Sequence, residues 1–188
     1  MNVSQETIID MSLKILNENG IEGLTMRELA KELNIKASSL YWHIKNKDEL
    51  LGLIAEHIST RLSLNESLGD ARSELISIFS SYRVNLLEIR DSVEIFRYAP
   101  PVTPARIALI KAVFNKLESI GVVKEKLIQV ANLMNNYVLS FVADELQAKN
   151  ALNAGVITFC GYPYDYDYDK QFKYGLAIIL NGVESMCK

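Results

Sequence analysis

Between Thr25 and Lys47 the chain gathers side chains that donate hydrogen bonds: Thr25, Arg27, Lys36, Ser38, Ser39, Tyr41, His43 and Lys47. Hydroxyl, guanidinium, phenol, imidazole and ammonium groups in such a cluster suit phosphate oxygens, which only accept. The same window holds five basic residues (Arg27, Lys31, Lys36, Lys45, Lys47) against two acidic ones (Glu28, Glu32). Residues 48–188 hold 14 basic and 17 acidic residues, and the whole chain carries −3. A small basic head on an acidic body fits a local contact with a polyanion and argues against indiscriminate nucleic-acid binding.

Other chemistry is not grouped. The two histidines and two cysteines, Cys160 and Cys187, show no metal-ligand spacing, so no metal or cofactor is expected and the thiols read as reduced. No nucleophile or acid–base pair stands beside an orienting partner, so no enzyme is expected. In GYPYDYDYDKQF, Asp165, Asp167 and Asp169 imitate the first ligands of a calcium loop. Lys170 stands where that loop needs glycine and Leu176 where it needs a bidentate glutamate, so the loop reading fails. The Tyr/Asp-rich segment 162–169 reads as a solvated loop, with its tyrosines as a candidate lid over an aromatic or cationic ligand.

The elements that must position the basic cluster are punctuated by caps. Ser4 opens a helix to Asn19, with Ile9, Leu13 and Leu16 on one face and Gly20 as its stop. Thr25 and Glu28 form a capping box for a short helix to about Leu33, ended by Asn34. A third helix fits Ala37 to Ile44, and Asn46 with Glu49 opens a longer one from Lys47 to about Leu62. Two short helices joined by a tight turn and braced by a third make a helix-turn-helix, packed by Leu29, Ala30, Leu33, Ile35, Leu40 and Ile44. The second short helix presents Lys36, Ala37, Ser38, Ser39, Tyr41, Trp42 and His43. Its small first residues let the backbone approach base edges, while Tyr41, His43 and Lys47 fall where phosphates lie. A generic helical hairpin with core-filling aromatics is the other reading of this composition.

The remainder also reads as helix: Asp70 to about Arg90, Ser92 to Tyr98, Thr103-Pro104 to Gly121, Lys124 to about Asn150, and about Lys170 to Met186. Residues 151–169 are irregular, and no strand-like stretch is expected. Apolar residues make up 49%, with nine glycines and four prolines, so a folded helical core is expected. No apolar run approaches 18 residues, and MNVSQETIID lacks a signal-peptide pattern, so the expected location is the cytoplasm, with no membrane partner.

The string LTMRELAKELNIKASSLYWHIKNKDELL resembles the DNA-binding domain of the TetR family over about 45 residues, especially its tetracycline-repressor branch. The resemblance implies Arg27 as a base reader. It implies Thr25, Ser39, Tyr41, His43 and Lys47 as phosphate-contacting or helix-positioning residues, and Ala37 and Ser38 as base-facing. The last two are small and poor in donors, so the tetracycline operator is not assumed. Trp42 matches a packing residue at the groove edge, and core packing is weighed above contact.

The implied architecture is all-α, with a helix-turn-helix domain at 1–47, a ligand-binding and dimerisation domain at 48–188, and the helix 47–62 connecting them. The implied function is a ligand-responsive repressor that binds palindromic double-stranded operator DNA as a homodimer and is released by a small-molecule inducer. The last helix is the expected dimer surface, through Gly175, Leu176, Ile179, Leu180, Gly182 and Val183, with the Lys124–Asn150 helix as bundle partner. Expected ligand-lining residues are Tyr82, Asn85, Phe96, Arg97, Tyr98, Asn132, Asn136 and Asp144. Phe96 falls where the branch has a metal-binding histidine, and no histidine stands near Leu62–Leu64, so tetracycline is not expected to be the inducer. A protein-interaction module without sequence-specific DNA binding remains the alternative function, with an enzyme behind it.

Overall fold

A computed structural model of the chain describes residues 4–62, 69–155, 158–159, 162–163 and 167–187. Among these, nine α-helices follow one another: α1 (Gln5–Gly23), α2 (Met26–Glu32), α3 (Ala37–Tyr41), α4 (Lys47–Thr60), α5 (Ala71–Leu87), α6 (Ser92–Tyr98), α7 (Pro104–Ser119), α8 (Leu127–Asn153) and α9 (Tyr168–Met186). A 3₁₀ turn, Lys124–Lys126, precedes α8. Within the stretch read as irregular, two residues of β1 (Thr158–Phe159) pair antiparallel with β2 (Tyr162–Pro163). No described helix is long and apolar enough to cross a membrane. The chain divides into two compact units, Met1–Arg61 with Asn85–Ala108, and Leu62–Val84 with Leu109–Lys188.

The first unit is built on capped helix starts. Ser4 Oγ accepts from the Thr7 amide at 3.1 Å, Thr25 Oγ1 from Glu28 at 3.1 Å and Asn46 Oδ1 from Glu49 at 2.8 Å. Each satisfies an amide that the first helical turn leaves without a carbonyl partner. Glu49 returns the cap to the Lys45 amide at 2.6 Å, whereas Glu28 turns to Lys31. α1 breaks at Gly20, whose φ of 71° lies in the left-handed region. Asn34, at φ 53°, ends α2 in the same way.

The buried face of α1 differs from the expected one. Ile8, Ser12, Ile15 and Leu16 point inward, while Ile9 and Leu13 are half-buried. The frame shifts because Ser12 can be buried, its hydroxyl donating to the Ile8 carbonyl at 2.7 Å. These residues meet Leu24, Leu29, Ala30, Leu40, Ile44, Leu50, Ile54 and Ile58 in one core, while Leu33 and Ile35 stay half-buried at its edge. α3 stops at Tyr41 rather than Ile44, but the amides of His43 and Ile44 both donate to the Leu40 carbonyl, which keeps Ile44 in the core.

The start of α7 is the other departure. The Thr103 hydroxyl makes no capping bond; instead Glu56 of α4 accepts from the Ala105 amide at 2.8 Å and the Arg106 amide at 3.4 Å. A carboxylate at a helix N-terminus also meets the positive end of the helix dipole. Arg106 turns back to donate to the carbonyls of Ala99 and Pro100 and lies over the Phe96 ring at 4.8 Å.

In the second unit α8 and α9 pack through Met134, Val138, Val142, Phe172, Leu176, Leu180 and Val183, all buried. They approach so closely that a Cβ at Gly175 would stand 2.1 Å from the Tyr137 hydroxyl oxygen. That hydroxyl donates to the Phe172 carbonyl at 3.0 Å, and the two rings stack at 5.4 Å. α5 and α9 have their own caps: Asp70 accepts from Ser73, and Asp167 from Lys170.

Candidate nucleic-acid interface

The core residues fix which side chains of the head face outward. In α3 and its flanks only Leu40 and Ile44 are buried, four positions apart on one helical face. Lys36, Ala37, Ser38, Ser39, Tyr41, Trp42 and His43 are all exposed. Trp42 is 89% exposed, so core packing is the wrong assignment for it. Leu40 and Ile44 fill the inward positions, and an indole between them has nowhere to go but outward. Ala37 and Ser38 leave the first turn of α3 narrow and unobstructed.

Arg27 is exposed in the first turn of α2, with no intramolecular partner among the described contacts. Thr25 holds the start of that helix through its cap, a positioning role. Lys47 departs from expectation: its ammonium is half-buried and donates to the Ile21 carbonyl at 2.7 Å. It closes the end of α1 instead of reaching outward. The exposed head therefore offers a guanidinium, an ammonium, hydroxyls, a phenol, an indole and an imidazole from α2, α3 and the residues after α3. Such groups read base edges and phosphates when a short helix enters the major groove.

The sequence matches the model of bacterial regulatory proteins of the tetR family over residues 8–54, which spans α1 to most of α4. The chain is 30% identical to the class C tetracycline repressor protein of Escherichia coli over 201 residues, covering 98% of this chain and 92% of that protein. This chain belongs to the tetR family. Its match to the class D tetracycline repressor protein of Escherichia coli, at 41% identity, spans 50% of this chain and 44% of that protein. The fold is similar to that of ActR from Streptomyces coelicolor in complex with (S)-DNPA, with a TM-score of 0.82, 26% identity and 98% of each chain covered. It is also similar to BioQ solved with its double-stranded DNA operator, with a TM-score of 0.76, 25% identity and coverage of 98% of this chain and 99% of that one. A tetR-family chain with this head is a DNA-binding transcriptional regulator.

The residues expected to line a ligand site are scattered. Tyr82, Asn85 and Phe96 are buried, but Arg97 and Tyr98 are exposed, the latter at 73%. Asn132, Asn136 and Asp144 lie on the exposed face of α8, so none of the three lines the interior of its unit. Reading α8 by polar residue type mistook an outward stripe for an inward one.

The expected dimer stripe is corrected too. Leu176, Leu180 and Val183 pack inside the chain, Gly175 makes room for Tyr137, and Ile179 is half-buried; only Gly182 faces open space. The outward face of α9 carries Tyr174 and Ile178 instead.

The most polar interior feature escaped the sequence reading. Arg83, 5% exposed, donates from Nε and Nη2 to Glu145, 2% exposed, each at 2.8 Å. The Arg83 guanidinium carbon lies 5.5 Å from the centroid of the Phe141 ring and 5.3 Å from that of Phe172. Lys149 approaches the other Glu145 oxygen at 2.9 Å, and Asp169 lies 3.5 Å from Arg83. Lys173 and then Arg83 hold the Asp169 carboxyl below its ordinary pKa. Asp167 and Asp169 are thus a helix cap and an ion-pair member; Asp165, Cys160, Ser63 and Leu64 lie outside the described residues. Only the Glu145–Lys149 spacing was visible locally; Arg83 is 62 residues away, beyond any helical periodicity.

Proposed function

We propose that this chain is a repressor that binds a two-fold symmetric operator as a homodimer and leaves it when a small molecule binds residues 48–188. The observation that carries the reading is the exposed run on α3, Lys36 to Ser39 and Tyr41 to His43, broken only by buried Leu40. Residues 1–47 act as the reading head. α3 lies in the major groove with Ala37 and Ser38 toward bases. Arg27 reads a base edge, and Lys36, Ser39, Tyr41, Trp42 and His43 contact the backbone and groove wall.

One head covers a few base pairs, so two copies are needed. The outward faces of α8, with Ile128 and Leu133, and of α9, with Tyr174, Ile178 and Gly182, supply apolar area for the second copy. The relatives named as tetracycline repressors and the ActR complex with (S)-DNPA support a ligand-responsive body. The metal–drug mode of the tetracycline branch is not carried over, because Phe96 is buried with the Arg106 guanidinium on its ring. Action on DNA places the protein in the cytoplasm and assigns it no catalytic step.

Selection from a random pool of duplexes tests the reading. The chain is expected to enrich one palindrome with half-sites about 34 Å apart. A pool that stays unenriched after repeated rounds would contradict it.

A further inference from the structure

Arg83 lies inside the second unit with its donors unevenly used. Nε and Nη2 both donate to one atom, Glu145 Oε2, each at 2.8 Å. Lys149 meets the other oxygen, Oε1, at 2.9 Å, so the Glu145 carboxylate is fully engaged. The Phe141 and Phe172 rings stand against the guanidinium carbon, their centroids at 5.5 and 5.3 Å. Nη1 is left with one contact among the described residues, Asp169 Oδ1 at 3.5 Å. A charge-assisted hydrogen bond spans about 2.7–2.9 Å, so this edge of a side chain only 6% exposed lacks an acceptor at ordinary distance. A buried charged donor in that state is costly.

Asp169 is a weak partner for it. Its side chain is 58% exposed, and its other oxygen, Oδ2, is held by Lys173 at 2.7 Å, one turn further along α9. The contacts link three cations (Arg83, Lys149, Lys173) with two carboxylates (Glu145, Asp169), which leaves one positive charge. Glu145 is buried and fixed at both oxygens, whereas the exposed Asp169 side chain can turn into solvent and uncover Nη1 and Lys173 together. Phe141, already against Arg83, also meets Tyr168 edge-to-face at 6.4 Å, and both rings are half-buried. The solvent side of the cluster is thus cationic with an aromatic wall. Tyr168 and Asp169 belong to the Tyr/Asp-rich segment, which DNA reading does not use.

We propose that Arg83 Nη1, with Lys173, binds the carboxylate of a small aromatic acid, which takes the place of the Asp169 side chain and lays its ring against Phe141 and Tyr168. One monoanion neutralises the surplus charge, and its carboxylate gives Nη1 an acceptor at ordinary length. Asp169 is an internal competitor that keeps the affinity modest. The site names a ligand class for the body in the function proposed above, and rests on that reading for its regulatory meaning alone. Binding is measured without DNA, so a chain that enriches no duplex would end the repressor reading and not this one.

The test uses the full chain as wild type, Asp169→Ser and Arg83→Lys, with benzoate as the probe. Acetate supplies the charge without a ring, and benzyl alcohol the ring without a charge. Binding is followed by NMR at the residue 169 amide and the Arg83 Nε–H. Benzoate should shift both signals of wild type to saturation, acetate should bind about tenfold more weakly, and benzyl alcohol should leave both unmoved. Asp169→Ser removes the competing acid from an exposed position, so it should fold and bind benzoate about fivefold more tightly. Lysine keeps a cation for Glu145 but offers no second edge, so Arg83→Lys should retain its helical circular dichroism and lose the saturable shift at Asp169. No saturable shift with benzoate, equal affinity in wild type and Asp169→Ser, binding that survives in Arg83→Lys, or acetate or benzyl alcohol as tight as benzoate overturns the site. Should Arg83→Lys not fold, the Asp169→Ser comparison decides alone.

Discussion

Arg27 and Lys47 are both basic residues of the head, yet their ammonium and guanidinium groups meet different surroundings. Arg27 is exposed and has no partner among the described residues, while Lys47 is committed to the Ile21 carbonyl. Arg27→Ala should therefore weaken binding to the enriched duplex by about 1–3 kcal/mol and relax preference at one base position, read by titration against duplexes varied at single positions. Lys47→Ala should instead lower stability by about 1 kcal/mol in a urea melt. Its plot of log affinity against log salt should keep the wild-type slope, whereas Lys36→Ala should flatten that slope by about 0.9. Residue types marked the head in the sequence, because cationic and hydroxyl side chains crowd one window. They did not distinguish the two basic residues, since the carbonyl that captures Lys47 lies 26 positions away. Trp42 was misjudged for a related reason: an aromatic ring suits a core until Leu40 and Ile44 are seen to fill it.

Helices were legible where their ends carry local chemistry. Ser4, Thr25, Asn46 and Asp70 each cap the helix that follows, with the donor three residues on. Asp167 does the same for α9 but belongs to the segment read as a loop, with the helix expected from about Lys170. The start of α7 at Pro104 was legible too, from Thr103-Pro104, but its capping side chain was not, because that is Glu56 from another helix. The caps also set a pH dependence. The Ser73 hydroxyl and then the Ser73 amide hold the Asp70 carboxyl below its ordinary pKa. A depressed carboxyl stabilises the fold fully above the unfolded-state value, about 3.9, and that contribution disappears as pH falls through the lower folded-state value. Wild type should therefore melt above Asp70→Ala at pH 6, and the gap should close in acid. A gap that stays constant down to pH ~2 would contradict this account.

At the scale of the molecule, the order of the first four helices was legible from their caps, whereas the faces of α8 and α9 could not be assigned from one strand of sequence. Both helices are apolar on more than one side, so periodicity alone does not say which side meets the chain's own core. The observed packing leaves Leu133 and Ile178 outward. Ile178→Glu should shift the protein from dimer to monomer in sedimentation at micromolar concentration while leaving its helical circular dichroism intact. A variant that stays dimeric would move the interface elsewhere. Loss of the dimer should also cost most of the operator affinity, since each head alone retains only one half-site.

The central claim is that α3 enters DNA, and Trp42 reports on it directly. It is the only tryptophan in the chain and stands 89% exposed on the flank of that helix. Its intrinsic fluorescence, followed while the enriched duplex is added, should change and saturate at two chains per duplex, and the change should reverse as salt is raised. Emission that stays constant while the duplex is demonstrably bound would place the DNA away from α3 and contradict the account.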